Sequence, residues 1–228
     1  MRREATTWIS AMACSIVMGF TPSSHATPSI TFYEDWTAAG TAGWENTPPI
    51  GSGIAQLSNP GGYLLIQFPD RGLPPPPPTA EEDIIYNDGE AYTDSYEQDG
   101  LAVRFNFKTF NINMIPSSLQ LYMYDAGSGH EWLYGFDVAQ TIDWQTFEVS
   151  FDFNYGHGWS GGTEAQFNAD LASIDAIGIL IESAVDLGEQ NYGLDMWKYF
   201  IPEPATWCLL VASLLSAGIP LRRRMTVS

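Results

Sequence analysis

Positive charge is scarce in this chain. Nine lysines and arginines stand against 27 aspartates and glutamates. A surface that neutralises phosphates needs a basic patch, so the composition excludes nucleic acid as a partner, and anionic lipid with it. Cysteine is scarcer still, with Cys14 and Cys208 near the two ends. The stretch between them carries neither a disulfide nor a thiol nucleophile. Histidine occurs three times, as His25, His130 and His157. None sits in a His-Glu-x-x-His pattern or another metal-ligand spacing. Paired carboxylates remain as a catalytic route, but among 27 acidic residues no pair stands out. The chain reads as a non-enzyme, with a polysaccharide-active hydrolase or lyase as the alternative.

Long apolar runs are confined to the ends. At the N-terminus Arg2 and Arg3 precede an apolar stretch, Trp8 to Phe20, and then the small residues of Ser24-His25-Ala26. This is the pattern of a signal peptide over 1–26, cleaved after Ala26 by signal peptidase. At the C-terminus Ala205 to Leu221 is uncharged for about 17 residues, near the lower limit for a membrane-spanning helix. Arg222, Arg223 and Arg224 follow at once, and such a cluster is held on the cytoplasmic side. Pro202-Glu203-Pro204 stands directly before the run. These three features in this order resemble the PEP-CTERM sorting signal, over residues 202–228. The resemblance implies an exosortase as partner and a transient membrane anchor over 205–221. It further implies a Gram-negative cell, with delivery to the cell surface or to an exopolysaccharide or biofilm matrix.

Residues 27–201 form the remaining domain, with four basic against 25 acidic residues and a net charge of −21. Such a surface favours solubility, divalent cations and neutral partners such as glycans. The apolar pattern is that of strands. In 101–112 Val103, Phe105 and Phe107 alternate with Arg104, Asn106 and Lys108. In 118–126 Leu119, Leu121 and Met123 alternate with Gln120, Tyr122 and Tyr124, and 130–138 follows a glycine-containing turn, so the two form a hairpin. Phe147, Val149, Phe151 and Phe153 mark the inward positions of 144–153. Further strands are predicted in 29–36, 62–68, 174–183 and 191–200, with one short helix in 164–174. Short strands between Gly, Pro, Asn and Asp turns predict an all-β, antiparallel β-sandwich of jelly-roll type. Segment 71–100 holds five consecutive prolines and an acidic remainder, and is predicted to be a long surface loop.

Ile177-Gly178-Ile179 followed by Tyr192-Gly193-Leu194-Asp195 resembles the closing strands of galactose-binding and carbohydrate-binding-module jelly rolls. That resemblance implies a structural Ca²⁺ shared between the first and last strands, with Glu34 or Asp35 meeting Asp195. For glycan binding the candidates are aromatic. Trp132, Tyr122 and Tyr124 lie on the predicted hairpin, and Trp159 lies in the glycine-rich loop 154–164. Flat rings beside polar side chains suit a sugar, whose CH groups stack while its hydroxyls bond. The competing reading places such rings in the core, where Trp36, Trp44, Trp144 and Trp197 are expected. The function these features suggest is a non-catalytic matrix protein that binds exopolysaccharide or forms part of the matrix.

Overall fold

A computed structural model describes residues 30–70, 80–93, 95–98, 100–184 and 188–201. The predicted signal peptide, the anchor 205–221, Pro202, Glu203, Pro204 and Arg222 to Arg224 lie outside them. No helix among the described residues is long and apolar enough to cross a membrane.

Among the described residues there are ten strands and one helix. They are β1 (Ile30–Glu34), β2 (Gln56–Ser58), β3 (Leu64–Phe68), β4 (Glu82–Asn87), β5 (Ala102–Thr109), β6 (Ser118–Asp125), β7 (His130–Phe136), β8 (Gln145–Ser150), α1 (Glu164–Asp170), β9 (Ala176–Glu182) and β10 (Gln190–Phe200). The first sheet runs β2-β3-β10-β5-β8, with β1 also paired to β10; the second runs β4-β9-β6-β7. Every pairing is antiparallel, and the architecture is a β-sandwich.

Period-two alternation builds the layer between the sheets. Register places Ile85, Ile179, Leu121 and Tyr134 in one row across the second sheet. Phe105 and Phe107 of β5 stack on Trp197 and Tyr192 of β10, at 5.3 and 5.6 Å between ring centroids. Strand β10 cannot stay straight while serving three partners. Residues 190–194 pair with β3 and 197–200 with β1, and the register with β5 slips between Asp195 and Lys198. Met196 absorbs the slip at φ 53°, in the left-handed region.

Segment 71–100 departs from the predicted surface loop. Its described part contains the edge strand β4, and Tyr92 and Tyr96 are buried in the core. The reason is a buried acid. Asp83 takes an inward position and accepts hydrogen bonds from Asn46 Nδ2, Ala55 N and Ser52 N at 2.7–2.8 Å. Fully bonded, it is tolerated inside, but in the sequence it interrupts the apolar alternation.

Helix α1 begins with a capping box. The Thr163 side chain accepts from Gln166 N, and the Gln166 side chain accepts from Thr163 N. Phe167 packs on Trp132 and Trp159, each at 5.1 Å. At the far end Asp170 is buried and accepts from Trp132 Nε1 at 2.9 Å, with His130 Nδ1 at 2.7 Å. Burial raises the Asp170 carboxyl. The bonds from His130 and Trp132 and the His130 charge outweigh that, and hold it below the ordinary carboxylate range. A depressed native pKa stabilises the fold above the unfolded value, and the contribution disappears as pH falls through the native one. Asp170→Asn is therefore expected to lose about 1–3 kcal/mol at neutral pH and to flatten the acid limb of stability. Urea unfolding followed from neutral to acid pH checks both.

Gly178 sits in the middle of β9, opposite Tyr86 and Tyr122. A Cβ there would lie 2.6 Å from Tyr86 Cα, on backbone that cannot move aside. Gly178→Ala is expected to cost about 1–3 kcal/mol or more, read as a lowered thermal midpoint.

Candidate functional site

The outer face of the first sheet carries a group of partly exposed rings. Leu64, Ile66 and Phe68 of β3 point inward, so Tyr63, Leu65 and Gln67 point outward. On β5 and just beyond it, the same parity turns Arg104, Asn106, Lys108 and Phe110 outward. Before β8 it does so for Trp144, with Thr146 and Glu148 following. On β10 it presents Asn191, Gly193 and Asp195. Register brings Leu65, Gly193 and Lys108 into one row, and Asp195, Asn106 and Thr146 into the next.

The rings meet over the glycine. Tyr63 lies 5.8 Å from both Phe110 and Trp144, measured between centroids. A Cβ on Gly193 would be 2.8 Å from Trp144 Cη2 and 3.3 Å from Phe110 Cε2, so the missing side chain is what lets the rings settle onto the strand. Phe110 and Trp144 remain 39% and 38% exposed. Lys108 Nζ stands 5.0 Å from the Phe110 ring and 5.7 Å from the Trp144 ring. Polar groups surround them: Thr146 Oγ1 donates to Asn106 Oδ1 at 2.8 Å, and Asn191 Nδ2 donates to Glu189 Oε1 at 2.8 Å. Farther along the face Arg104 pairs with Glu148 and lies over the Phe200 ring at 4.6 Å. Exposed rings with hydrogen-bonding neighbours on a rigid sheet can stack on an apolar face of a ligand and bond its rim.

The chain's fold is similar to parts of larger proteins. An exo-β-agarase aligns with a TM-score of 0.53 at 12% identity, over 77% of this chain and 25% of that one. Another agarase aligns with a TM-score of 0.51 at 11% identity, over 74% and 26%. This chain thus spans about a quarter of the length of these agarases. A family 11 carbohydrate-binding module of a cellulosomal cellulase from Clostridium thermocellum aligns over 77% of this chain and 94% of its own, with a TM-score of 0.47 and 14% identity. At these identities the likeness is one of fold. No family model matches the sequence, and no curated protein does.

The aromatic residues singled out in the sequence are mostly inside. Trp132 is fully buried. Trp159 is 5% exposed, donates from Nε1 to Ser150 O at 3.2 Å and stacks on Phe151. The glycines beside it do not expose it. They let the loop press onto Trp132: a Cβ on Gly162 would lie 2.9 Å from Trp132 Cη2. Tyr122 is buried with its hydroxyl on Glu131, and its ionisation is pushed up by burial first and by Glu131 second. Tyr124 is half-buried. Conversely Trp144, expected in the core, is at the surface, while Trp36, Trp44 and Trp197 are buried as expected. Gly158-Trp159-Ser160-Gly161-Gly162 spells a serine-nucleophile pattern, but Ser160 bridges to Leu133 and its hydroxyl donates to Leu133 O at 3.2 Å, with no histidine among the described residues bonded to it.

The first and last strands are neighbours, as a shared calcium requires, but the three carboxylates do not converge. Glu34 Oε1 accepts from Trp36 N and the side chain faces Tyr92. Asp35 Oδ1 accepts from Thr37 N at 3.1 Å and from Thr37 Oγ1 at 2.8 Å. Burial first, and Asp35 after it, push the Asp195 carboxyl above the ordinary range. No group of three or more His, Cys, Asp and Glu suited to a metal is assembled among the described residues. A cavity of about 430 Å³ at one end of the sandwich is lined by Tyr96, Glu97, Phe151, Asp152, Glu164 and Asn168, among others.

Core and surface rings should respond differently to truncation. Trp159→Ala is expected to lose about 3–5 kcal/mol in chemical unfolding, and Trp144→Ala distinctly less, because solvent already reaches its ring.

Proposed function

We propose that residues 27–201 form a non-catalytic, jelly-roll glycan-binding domain, and that sugar rings stack on the outer face of the first sheet around Gly193. The observation that carries this is the convergence of Tyr63, Phe110 and Trp144, half-exposed, over a strand glycine and beside Asn106, Thr146 and Asn191. The signal-peptide pattern and the Pro-Glu-Pro tail support export through the inner membrane, handling by signal peptidase and exosortase, and a final place at the cell surface or in an exopolysaccharide matrix. Calcium enters this proposal in reduced form, with Asp35 and Asp195 as its carboxylates and other oxygens completing the shell. Asp35 contributes to raising the Asp195 carboxyl, a repulsion that a cation between them would relieve. Millimolar Ca²⁺ is then expected to raise the thermal midpoint, and Asp195→Asn to abolish the rise.

A glycan array probed with the full chain tests the binding. Phe110→Ala and Trp144→Ala are each expected to weaken it roughly threefold to tenfold without unfolding the protein. Binding unchanged in both variants would remove this face as the site. Glu97, Asp152 and Glu164 line the cavity, and carboxylates together in a cavity support the hydrolase or lyase alternative. Release of reducing or unsaturated sugar ends from the bound polysaccharide, abolished by Glu164→Gln or Asp152→Asn, would establish it instead.

A further inference from the structure

Three basic residues lie in the described part of the domain, Arg104, Lys108 and Lys198, and all three stand on the outer face of the first sheet. Their surroundings differ. Arg104 is neutralised by Glu148. Lys198 and Arg104 flank the Phe200 ring at the end of the face away from Gly193, at 5.7 and 4.6 Å. Lys108 stands among the exposed rings instead, and no carboxylate among the described residues pairs with it. In a domain of net charge −21, this cation stands at the centre of the surface where a ligand would lie.

We infer that the glycan held on this face is acidic, and that Lys108 reads an anionic substituent, a uronate carboxylate or a sulfate ester, on the sugar that stacks against Phe110 and Trp144. This rests on the glycan-binding reading above. A cation beside an exposed ring gains only about 0.5–1 kcal/mol from it and keeps its N–H donors for another partner. A sugar stacked on either ring brings its ring substituents to the rim where Nζ stands. A neutral hydroxyl offers Nζ a hydrogen bond, whereas an anion adds the attraction of opposite charges to that bond, so the position favours charge over its absence. The rest of the domain sets an upper bound on that charge. Its net negative field repels a densely charged polymer, while at physiological salt screening over about 8 Å leaves the contact at Lys108 effective. The fitting ligand therefore carries acidic groups spaced along an otherwise neutral chain.

Titration calorimetry of the full chain tests this. The probes are mixed-linkage glucan, galactan, agarose and mannan oligosaccharides. Each is used as the neutral sugar, as the same sugar sparsely oxidised at C6 to uronate, and as the same sugar sparsely sulfated. An acidic form is expected to bind roughly fivefold to tenfold more tightly than its neutral parent, the advantage shrinking with added salt. Comparison of the two acidic arms distinguishes carboxylate from sulfate. Lys108→Gln should erase the advantage, bringing the ratio of acidic to neutral affinity down to about one, and Lys108→Arg should retain it. Equal affinity for neutral and acidic forms, or an advantage that survives in Lys108→Gln, overturns the inference and leaves glycan binding standing. No binding of any form overturns both.

Discussion

Strand β10 is the constraint on which the first sheet depends. It pairs with β5 along most of its length, with β3 over its first half and with β1 over its second. A regular strand offers two edges, so three partners require a change of course partway. The bulge at Asp195 and Met196 supplies it. The features of interest lie close to that point. Gly193 underlies the exposed rings just before the bulge, and at it Asp195 Oδ1 accepts from Met196 N. The stacked pairs Phe105–Trp197 and Phe107–Tyr192 hold β10 against β5 on either side of the bulge, so the outer face rests on a rigid floor.

The two outer faces of the sandwich differ in how they treat tyrosine and tryptophan. On the second sheet Tyr86 and Tyr122 are buried, with hydroxyls committed to Glu45 and Glu131. Their rings are occupied and their polar ends satisfied. On the first sheet Tyr63, Phe110 and Trp144 touch one another but keep part of their faces in solvent. Basic side chains show the same asymmetry, since Arg104, Lys108 and Lys198 all lie on the first sheet.

Much of the fold was legible because alternation is a strong signal where one side of a strand is dry. Strands β5, β6, β7, β9 and β10 and the helix α1 fall within the segments where the pattern placed them, apart from a residue at the start of β10. β4 escaped because Asp83 and Asn87 occupy inward positions, and a buried carboxylate with several backbone and amide donors cannot be told from a surface acid in a sequence. The site was legible in principle. Phe147, Val149 and Phe151 were read as inward, which sets Trp144 on the opposite parity; its size argued for the core and prevailed over the period. The same parity marks Phe110 outward from Phe105 and Phe107. Trp159 erred the other way, because glycine in a loop was taken as freedom, whereas at Gly161 and Gly162 it is close packing against Trp132. What no pattern could reveal is that residues 63, 110, 144 and 193 come together, since that depends on sheet order.

The pairing of Ile30 with Phe200 has a mechanical consequence. The polypeptide enters β1 and leaves β10 side by side, at one pole of the first sheet. Gly193 lies seven residues back along β10, on the far side of the bulge from that pole. The aromatic patch around Gly193 is thereby set apart from the pole where the described chain begins and ends.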